Sequence, residues 1–171
     1  MGSEELTASG VRVGVRPVRG QSTHFALPGH STRAWPVVRF GERDYFVSAA
    51  APDRVITADT WEPEAGFDHR ATASGLLSNL STALELAEAT VVRTRVGFRP
   101  GTHDGVQLSG SIERLPGVVV ATGLGSQGLT FGPFQGTVAA RPAMGEDPGL
   151  DLSAFVPDRT QKPGRAIGSG F

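Results

Sequence analysis

No cysteine occurs among the 171 residues, which excludes disulfides, thiolate metal sites and a cysteine nucleophile, and fits a reducing compartment. An excess of charge of one sign is also lacking: 16 Lys and Arg stand against 17 Asp and Glu, a formal net charge of −1. No global field therefore draws the chain to a nucleic acid or to an anionic membrane surface. No apolar run approaches the roughly 20 residues that a membrane helix requires. The opening residues, MGSEELTASG, carry acids where an export signal carries bases. The predicted address is cytoplasmic, with no membrane and no nucleic-acid partner. The histidines, His24, His30, His69 and His103, are dispersed without metal-ligand spacing, so no metal is predicted. No nucleophile elbow is present, and Ser-His-Asp catalysis has no candidate nucleophile.

Glycine and proline, at 23 and 12 residues, punctuate an otherwise ordinary globular composition, long enough for one good core or two small lobes. From Val11 to Arg19 the chain alternates apolar and basic residues, a strand pattern that Gly20-Gln21 should end. Ser22 to Leu27, Ala34 to Phe40, Tyr45 to Val47 and Arg54 to Trp61 read as further short strands. The tight turns between them argue for an antiparallel sheet, since parallel strands need long crossovers. Thr72 to Ala89 is the clear helix, with Leu76, Leu77, Leu80, Leu84 and Ala87 forming one apolar stripe suited to covering a sheet face. Val91 to Phe98 returns to strand character, Thr102 to Gly105 is a turn, and Leu108 to Gly110 and Pro116-Gly117 lead into a β-branched strand, Val118 to Thr122. That strand empties into Gly123-Leu124-Gly125-Ser126-Gln127-Gly128. A helix over Leu129 to Ala140 should follow, with Pro133 tolerable only in its first turn and Pro142 ending it.

A strand, a glycine loop and a helix start make a cradle for an anion or cofactor, because unpaired N–H groups and the positive end of the helix dipole point the same way. Gly123, Gly125 and Gly128 also spell GxGxxG, with Glu146 roughly where a ribose-binding acid belongs in a dinucleotide site. Such a site needs a second apolar strand after the helix, and here PAMGEDPGL follows. A glycine turn without a ligand is a further reading.

A third reading comes from likeness. VGFRPGTHDGVQLSG, LPGVVVATGLGSQGLTFGPFQG and LDLSAFVPDR, in that order, resemble the C-terminal part of the FAD-dependent D-amino-acid oxidase and glycine oxidase superfamily. VRPVRGQ, WPVV, DYFV, the Arg54 to Glu62 strand, GFD and the Leu-rich helix follow the order of its substrate domain. The resemblance covers almost the whole chain. It implies an α+β fold: an antiparallel sheet of about five or six strands covered by a helix, then a C-terminal strand, loop and helix from a flavin-binding lobe. Residues 1–98 would be the substrate-domain-like sheet and helix, 99–158 the C-terminal part of the FAD-binding lobe, and 159–171 a loose tail.

In chemistry, the resemblance implies oxidation of a small amine or amino acid by FAD, with imine hydrolysis and peroxide formation. Arg99 matches the position whose guanidinium clamps a substrate carboxylate, a task suited to its planar fork. Tyr45, the only tyrosine in the chain, stands where some relatives place a substrate-facing phenol, and Gln127 where some make a substrate-side contact. The loop, Gly123, Gly125, Ser126, Gly128, Leu129 and Thr130, would lie by the flavin, while no residue is assigned a catalytic role. Departures are visible: the loop reads GLGSQG where relatives carry a GHGGHG-like run, and Val47 to Ala49 read VSA where they carry VPR. The resemblance also implies a Rossmann-type FAD-binding half that this sequence does not include, so a separate polypeptide is the expected partner. The sheet face and the strand at Val118 would then be an exposed apolar interface. The alternative is a non-catalytic remnant or small carboxylate-binding module without flavin.

Overall fold

In the computed structural model the first strand runs well past the glycine expected to end it: β1 (Val15–Ala26) is 12 residues long, buried without a break from Val18 to Gln21 and alternating only after that. The structure describes residues 10–11, 13–40, 45–58, 60–82 and 89–159, except for the side chains at 39, 40, 45–48, 81 and 82. These residues divide into two units, one of residues 18–98, here the sheet unit, and one of residues up to 17 with those from 99 onward, here the hairpin unit.

Beyond β1 the strands are β2 (Val38–Phe40), β3 (Tyr45–Ala51), β4 (Arg54–Ala58) and β5 (Thr90–Thr102), in the order β2-β3-β4-β1-β5. The pairs β1–β4, β2–β3 and β3–β4 are antiparallel. Extended backbone survives Gly20 because its neighbours are held from outside the main ladder. The Arg19 and Glu62 backbones exchange N–H···O bonds of 3.2 and 2.9 Å, and the Gln21 N–H donates to Thr60 Oγ1 at 2.6 Å. Pro17, which has no N–H to give, precedes the β1–β4 ladder that starts at Ser22↔Ala58. β2 is shorter than the Ala34 to Phe40 expectation. Buried Thr32 donates to the Ala51 and Arg54 carbonyls at 2.6 and 3.1 Å, which pulls the preceding loop onto the β3–β4 turn.

Strand alternation sends Thr23, Phe25, Val55 and Thr57 to one face, where Thr23 pairs with Thr57 and Phe25 with Val55. Phe25, Leu27 and Val55 form a core with Leu80 and Ala89 packed against it. Helix α1 (Ala73–Thr82) lies on this face, its start capped by Thr72 Oγ1, which accepts the Gly75 N–H at 3.2 Å. The apolar stripe needs one correction. Asn79 and Gly75 occupy the centre of the buried face, and Leu77 is 65% exposed. The predicted extension through Leu84 and Ala87 lies outside the described residues.

A polar cluster joins this helix start to β1. The Arg19 guanidinium pairs with the Glu62 carboxylate and donates to the Asp68 and Arg70 carbonyls. The Gln21 amide donates to Glu62 Oε1 and Thr72 Oγ1 at 2.7 and 2.8 Å and accepts the Thr72 N–H at 2.8 Å. Burial alone would raise the Glu62 carboxyl, but hydrogen bonds from Gln21, Arg19 and Thr60 outweigh it and hold the group below its ordinary value.

In the hairpin unit, β6 (Leu108–Ser111) pairs antiparallel with β7 (Val119–Thr122), from Leu108↔Thr122 to Ser111↔Val119. Val11, Leu108, Ile112 and Val120 make its core, with Val13, Val15, Leu115 and Val118 packed around them. Each fully buried side chain of this kind contributes about 1.5–3 kcal/mol. The strand at Val118 is thus spent on the unit's own core and is not the exposed interface expected of it.

Helix α2 (Gly128–Ala143) packs on both strands. It starts one residue earlier than expected and passes both prolines. Pro133 falls in the second turn, preceded by Gly132, whose missing Cβ removes part of the clash that a proline imposes on its predecessor. Gly145, at φ +77, ends the helix in place of Pro142, with its N–H on the Pro142 carbonyl at 3.0 Å. The fold is α+β.

Candidate functional site

The site is built from the end of β7 outward. Gly123 follows β7 at φ +81, a left-handed conformation that disfavours any Cβ. A Cβ there would also stand 2.7 Å from Thr102 Cγ2 and 3.4 Å from Gln107 Cα. Glycine is therefore required twice, for backbone angle and for close packing against the end of β5 and the start of β6. Gly125, at φ +54, opens a single 3₁₀ turn (Gly125–Gln127), which runs directly into α2. Gly128 has ordinary helical angles, φ −58 and ψ −39. The third glycine of the GxGxxG spacing is thus a helix residue with no left-handed turn to make.

No side chain caps this turn or α2, and no acid stands in the first turn of either. The leading N–H groups of a helix have no intrahelical partners, so the start of this continuous helical run, which no side chain caps, presents a positive dipole end. Ser126 and Thr130 are exposed, Leu129 is almost fully so, and Gln127 is half-buried with its N–H on the Leu124 carbonyl at 2.8 Å. What the loop offers is backbone, in the form that suits an anionic or electron-rich edge.

Two clamps hold this loop from behind, and both escaped sequence reasoning. Gln135, buried on the core side of α2, directs Nε2 to the Leu108 carbonyl (2.9 Å), Ser109 Oγ (2.9 Å) and the Thr122 carbonyl (3.1 Å). It stitches α2 to the end of the hairpin from which the loop springs. A glutamine at core spacing with Val138 and Ala139 was the available signal. The second clamp is the Asp104–Arg159 fork: Arg159 Nε and Nη2 donate to the Asp104 oxygens at 3.1 and 3.0 Å, and Nη2 also to the Val106 carbonyl at 2.7 Å. Burial would raise the Asp104 carboxyl, but the Val106 N–H, Arg159 and Thr102 together keep it below its ordinary value. The fork fixes the turn that leads to Gln107, against which Gly123 packs.

Arg99 stands half-buried on β5, at the first residue of that strand belonging to the hairpin unit. It shares that unit with Gln127 and the loop glycines. Tyr45 opens β3 in the sheet unit, in register with Phe40, and its side chain lies outside the described residues.

Comparison with known proteins gives the site a context. A family model described as DAO, FAD dependent oxidoreductase, matches residues 2–141. The chain belongs to this family. Within the FAD dependent oxidoreductases, the uncharacterized oxidoreductase YurR of Bacillus subtilis is 37% identical over 160 residues, covering 91% of this chain and 43% of that protein. The glycine oxidase of Geobacillus kaustophilus is 25% identical over 150 residues, covering 85% of this chain and 39% of the relative. Among solved structures, the iminodiacetate oxidase IdaA of Chelativorans sp. BNC1 superposes with a TM-score of 0.81 at 38% identity, covering 91% of this chain and 43% of that one. The chain therefore spans about two fifths of the length of the relatives it matches. The family is FAD-dependent. Among the described residues no helix is long and apolar enough to cross a membrane.

Proposed function

We propose that this chain is the substrate-side and second flavin-contact portion of an FAD enzyme oxidising a small amine or amino acid, completed by a Rossmann-type FAD-binding polypeptide and working in the cytoplasm. The observation that carries the reading is the helix start at Gly125–Phe131 without a side-chain cap, set by the Gly123 turn and held by Gln135. Its donor set fits the flavin: backbone N–H groups at a positive dipole end stabilise negative charge gathering on a reduced ring, and glycines let that ring come close. Gly123, Gly125, Ser126, Gly128, Leu129 and Thr130 would provide this contact. Bound FAD would supply the two-electron oxidation itself, turning the amine to an imine that water hydrolyses and passing the electrons to oxygen as peroxide.

The chain's own residues would bind and orient. Arg99 would hold the substrate carboxylate with its planar fork, and Gln127 and Tyr45 would line the substrate side. Two relatives are named as oxidases of glycine and of iminodiacetate, both carboxylate-bearing amines, which supports a substrate of that class. The test is a visible spectrum of the purified chain, alone and after mixing with FAD and removal of free flavin by gel filtration. Flavin bands near roughly 370 and 450 nm eluting with the chain, and a raised KM for amino-acid substrates in Arg99→Ala of the completed enzyme, are the expected results. If the completed enzyme holds FAD but Arg99→Ala leaves KM unchanged, Arg99 does not bind substrate. If no flavin is held with or without a Rossmann-type partner, the flavin reading fails and a carboxylate-binding module remains.

A further inference from the structure

We propose that the face of the sheet unit turned away from α1, around Arg93 and Arg95, docks the acidic loop from Glu146 to Asp151 of a second copy of this chain. The contact is independent of the flavin reading and uses two surfaces to which that reading gives no role. The basic face is built by strand alternation. Thr23 on β1 and Thr94 on β5 meet on the α1 side, Oγ1 to Oγ1 at 3.4 Å, so their neighbours His24, Arg93 and Arg95 point away from α1. Arg54 stands opposite Ala26, next to Val55, which packs with Phe25 on the α1 side, so it faces outward with His24. The described positions on this face of β1, β4 and β5 carry no acid. Asp53, in the turn before β4, is engaged by Arg54 Nε at 3.4 Å.

Arg93 and Arg95 are exposed, and among the described residues neither has an ion pair or hydrogen bond. Same-side residues of a strand stand about 7 Å apart, inside the Debye length of about 8 Å at physiological salt, so the two charges repel unless an anion covers both. Burial and the charges of Arg93, Arg95 and Arg54 hold the His24 imidazole below its ordinary value, which shows that the three guanidinium groups converge on one spot. Val91, on the same side of β5 as Arg93, is 41% exposed and adds an apolar contact to the face.

The counter-charge is on the chain itself. Past the end of α2, Glu146, Asp147 and Asp151 are exposed, and among the described residues none has an ion pair. Asp147 Oδ1 accepts the Gly149 N–H at 2.6 Å and Asp151 Oδ1 the Ser153 N–H at 2.9 Å, which leaves each carboxylate a second oxygen for an outside donor. Gly145 and Gly149, at φ +77 and +74, shape the loop, and Arg141 Nη1 holds the Pro148 carbonyl at 3.4 Å, so little order is lost when the loop docks. Met144, 66% exposed, stands at its start and matches the apolar contact at Val91. Unpaired guanidinium forks beside an apolar side chain thus meet unpaired carboxylates beside another. A net charge of −1 gives no long-range attraction to an unrelated polyanion, so the pairing comes from this local match, and a second copy always supplies it.

The test is charge reversal read by sedimentation velocity of the full chain, at low salt and at about 1 M, where the Debye length is about 3 Å. The native chain should self-associate at low salt and weaken at high salt. Arg93→Glu with Arg95→Glu, and Glu146→Arg with Asp147→Arg, should each weaken association at least about tenfold. A chain with all four reversals should associate again, because face and loop match once more. The two reversed chains should also associate when mixed, since one keeps the native loop and the other the native face. Arg33→Glu with Arg114→Glu makes the same shift in net charge at exposed arginines elsewhere and should behave as the native chain. Circular dichroism checks folding, and glutamine replaces the reversed residues in any variant that fails it. A chain that stays monomeric at low salt, association that either reversal leaves intact, an equal loss in the Arg33 and Arg114 control, or a fourfold reversal that stays monomeric overturns the proposal.

Discussion

Replacing Gln135 by leucine is the sharpest probe of how the loop is held. The substitution keeps the side chain's approximate volume and removes its donors. In the native protein Nε2 lies 2.9, 2.9 and 3.1 Å from the Leu108 carbonyl, Ser109 Oγ and the Thr122 carbonyl. Ser109 Oγ loses one donor but keeps its own rotatable O–H, whereas the two carbonyls are fixed at the end of the β6–β7 ladder and lose their donor. At about 1–2 kcal/mol for each buried acceptor left unsatisfied, the loss is about 2–4 kcal/mol. Extra apolar burial returns about 1 kcal/mol. Hydrogen exchange read by mass spectrometry should therefore be about 10–100-fold faster in peptides covering 119–122 and 128–143. Both tryptophans, Trp35 and Trp61, lie in the sheet unit, so the thermal midpoint seen by their fluorescence should barely move. Unchanged exchange around α2, or an equal loss seen by both probes, would refute the idea that Gln135 acts as a local clamp. Gln135→Glu gives a pH-dependent version. Its carboxylate would face the two carbonyls, which can only accept, so its folded pKa would rise, and the penalty would be full above that value and fade as pH falls toward the unfolded value of about 4.3.

Gly123→Ala combines a left-handed backbone with a Cβ 2.7 Å from Thr102 Cγ2, and should cost about 2–4 kcal/mol in the hairpin unit. Adding Thr102→Ser removes the clashing methyl and should recover part of that loss in the same exchange assay; no recovery would mean that backbone angle alone sets the cost. In the sheet unit, a Cβ at Gly75 would stand 2.2 Å from Gln21 Nε2, so Gly75→Ala should lower the tryptophan-detected midpoint by several degrees despite alanine's better helix propensity. A raised midpoint would show that the Gln21 amide moves aside at little cost. For Asp104 the sign is that of a lowered acid: the paired carboxylate adds stability above its unfolded pKa of about 3.9, and this is lost as pH falls through the folded value. The melting gap between wild type and Asp104→Asn should be widest near neutral pH and narrow as pH falls below the unfolded value; a gap independent of pH would rule out the charge as its source.

What the sequence reveals by itself is what neighbours in the chain decide. The strands at Arg54 and Val118, the helix after Thr72 and the strand–glycine–helix order around Gly123 all rest on alternation, helical spacing and turn residues within a few positions. What it hides depends on partners far along the chain. Gly20 looks like a strand end because glycine and its neighbours favour turns, yet Glu62 and Thr60, about forty residues away, keep the backbone extended. Pro142 looks like a stop, yet the last turn closes on it because Gly145 provides the left-handed exit. Leu77 looks like core by spacing, but the stripe is centred on Asn79, whose backbone carbonyl accepts from Thr57 across the sheet face. Of the candidate site, the glycine loop was visible as a pattern, whereas its two clamps, reaching 13 to 27 residues for Gln135 and 55 for Arg159, were not.

Both units solve one problem with the same kind of residue. In the sheet unit the buried Gln21 amide ties the start of α1 to Glu62, and in the hairpin unit the buried Gln135 amide ties α2 to the end of β6 and β7. A primary amide suits the task because it carries donors and an acceptor without charge, so it can serve several partners in a dry setting where a carboxylate or ammonium would need a counter-ion. The consequence differs between the two. The start of α1 is capped by Thr72 and would persist with a weakened Gln21. The start of α2 has no cap of its own, so its order depends on the Gly123–Thr102 contact and on Gln135, both on the side away from the exposed donors. A helix start that is to receive a ligand must leave its donors uncovered, and uncapped ends fray. Fixing it from the buried side reconciles the two demands, and so the first effect of losing Gln135 should be on the loop's order, ahead of any change in the residues that would touch flavin or substrate.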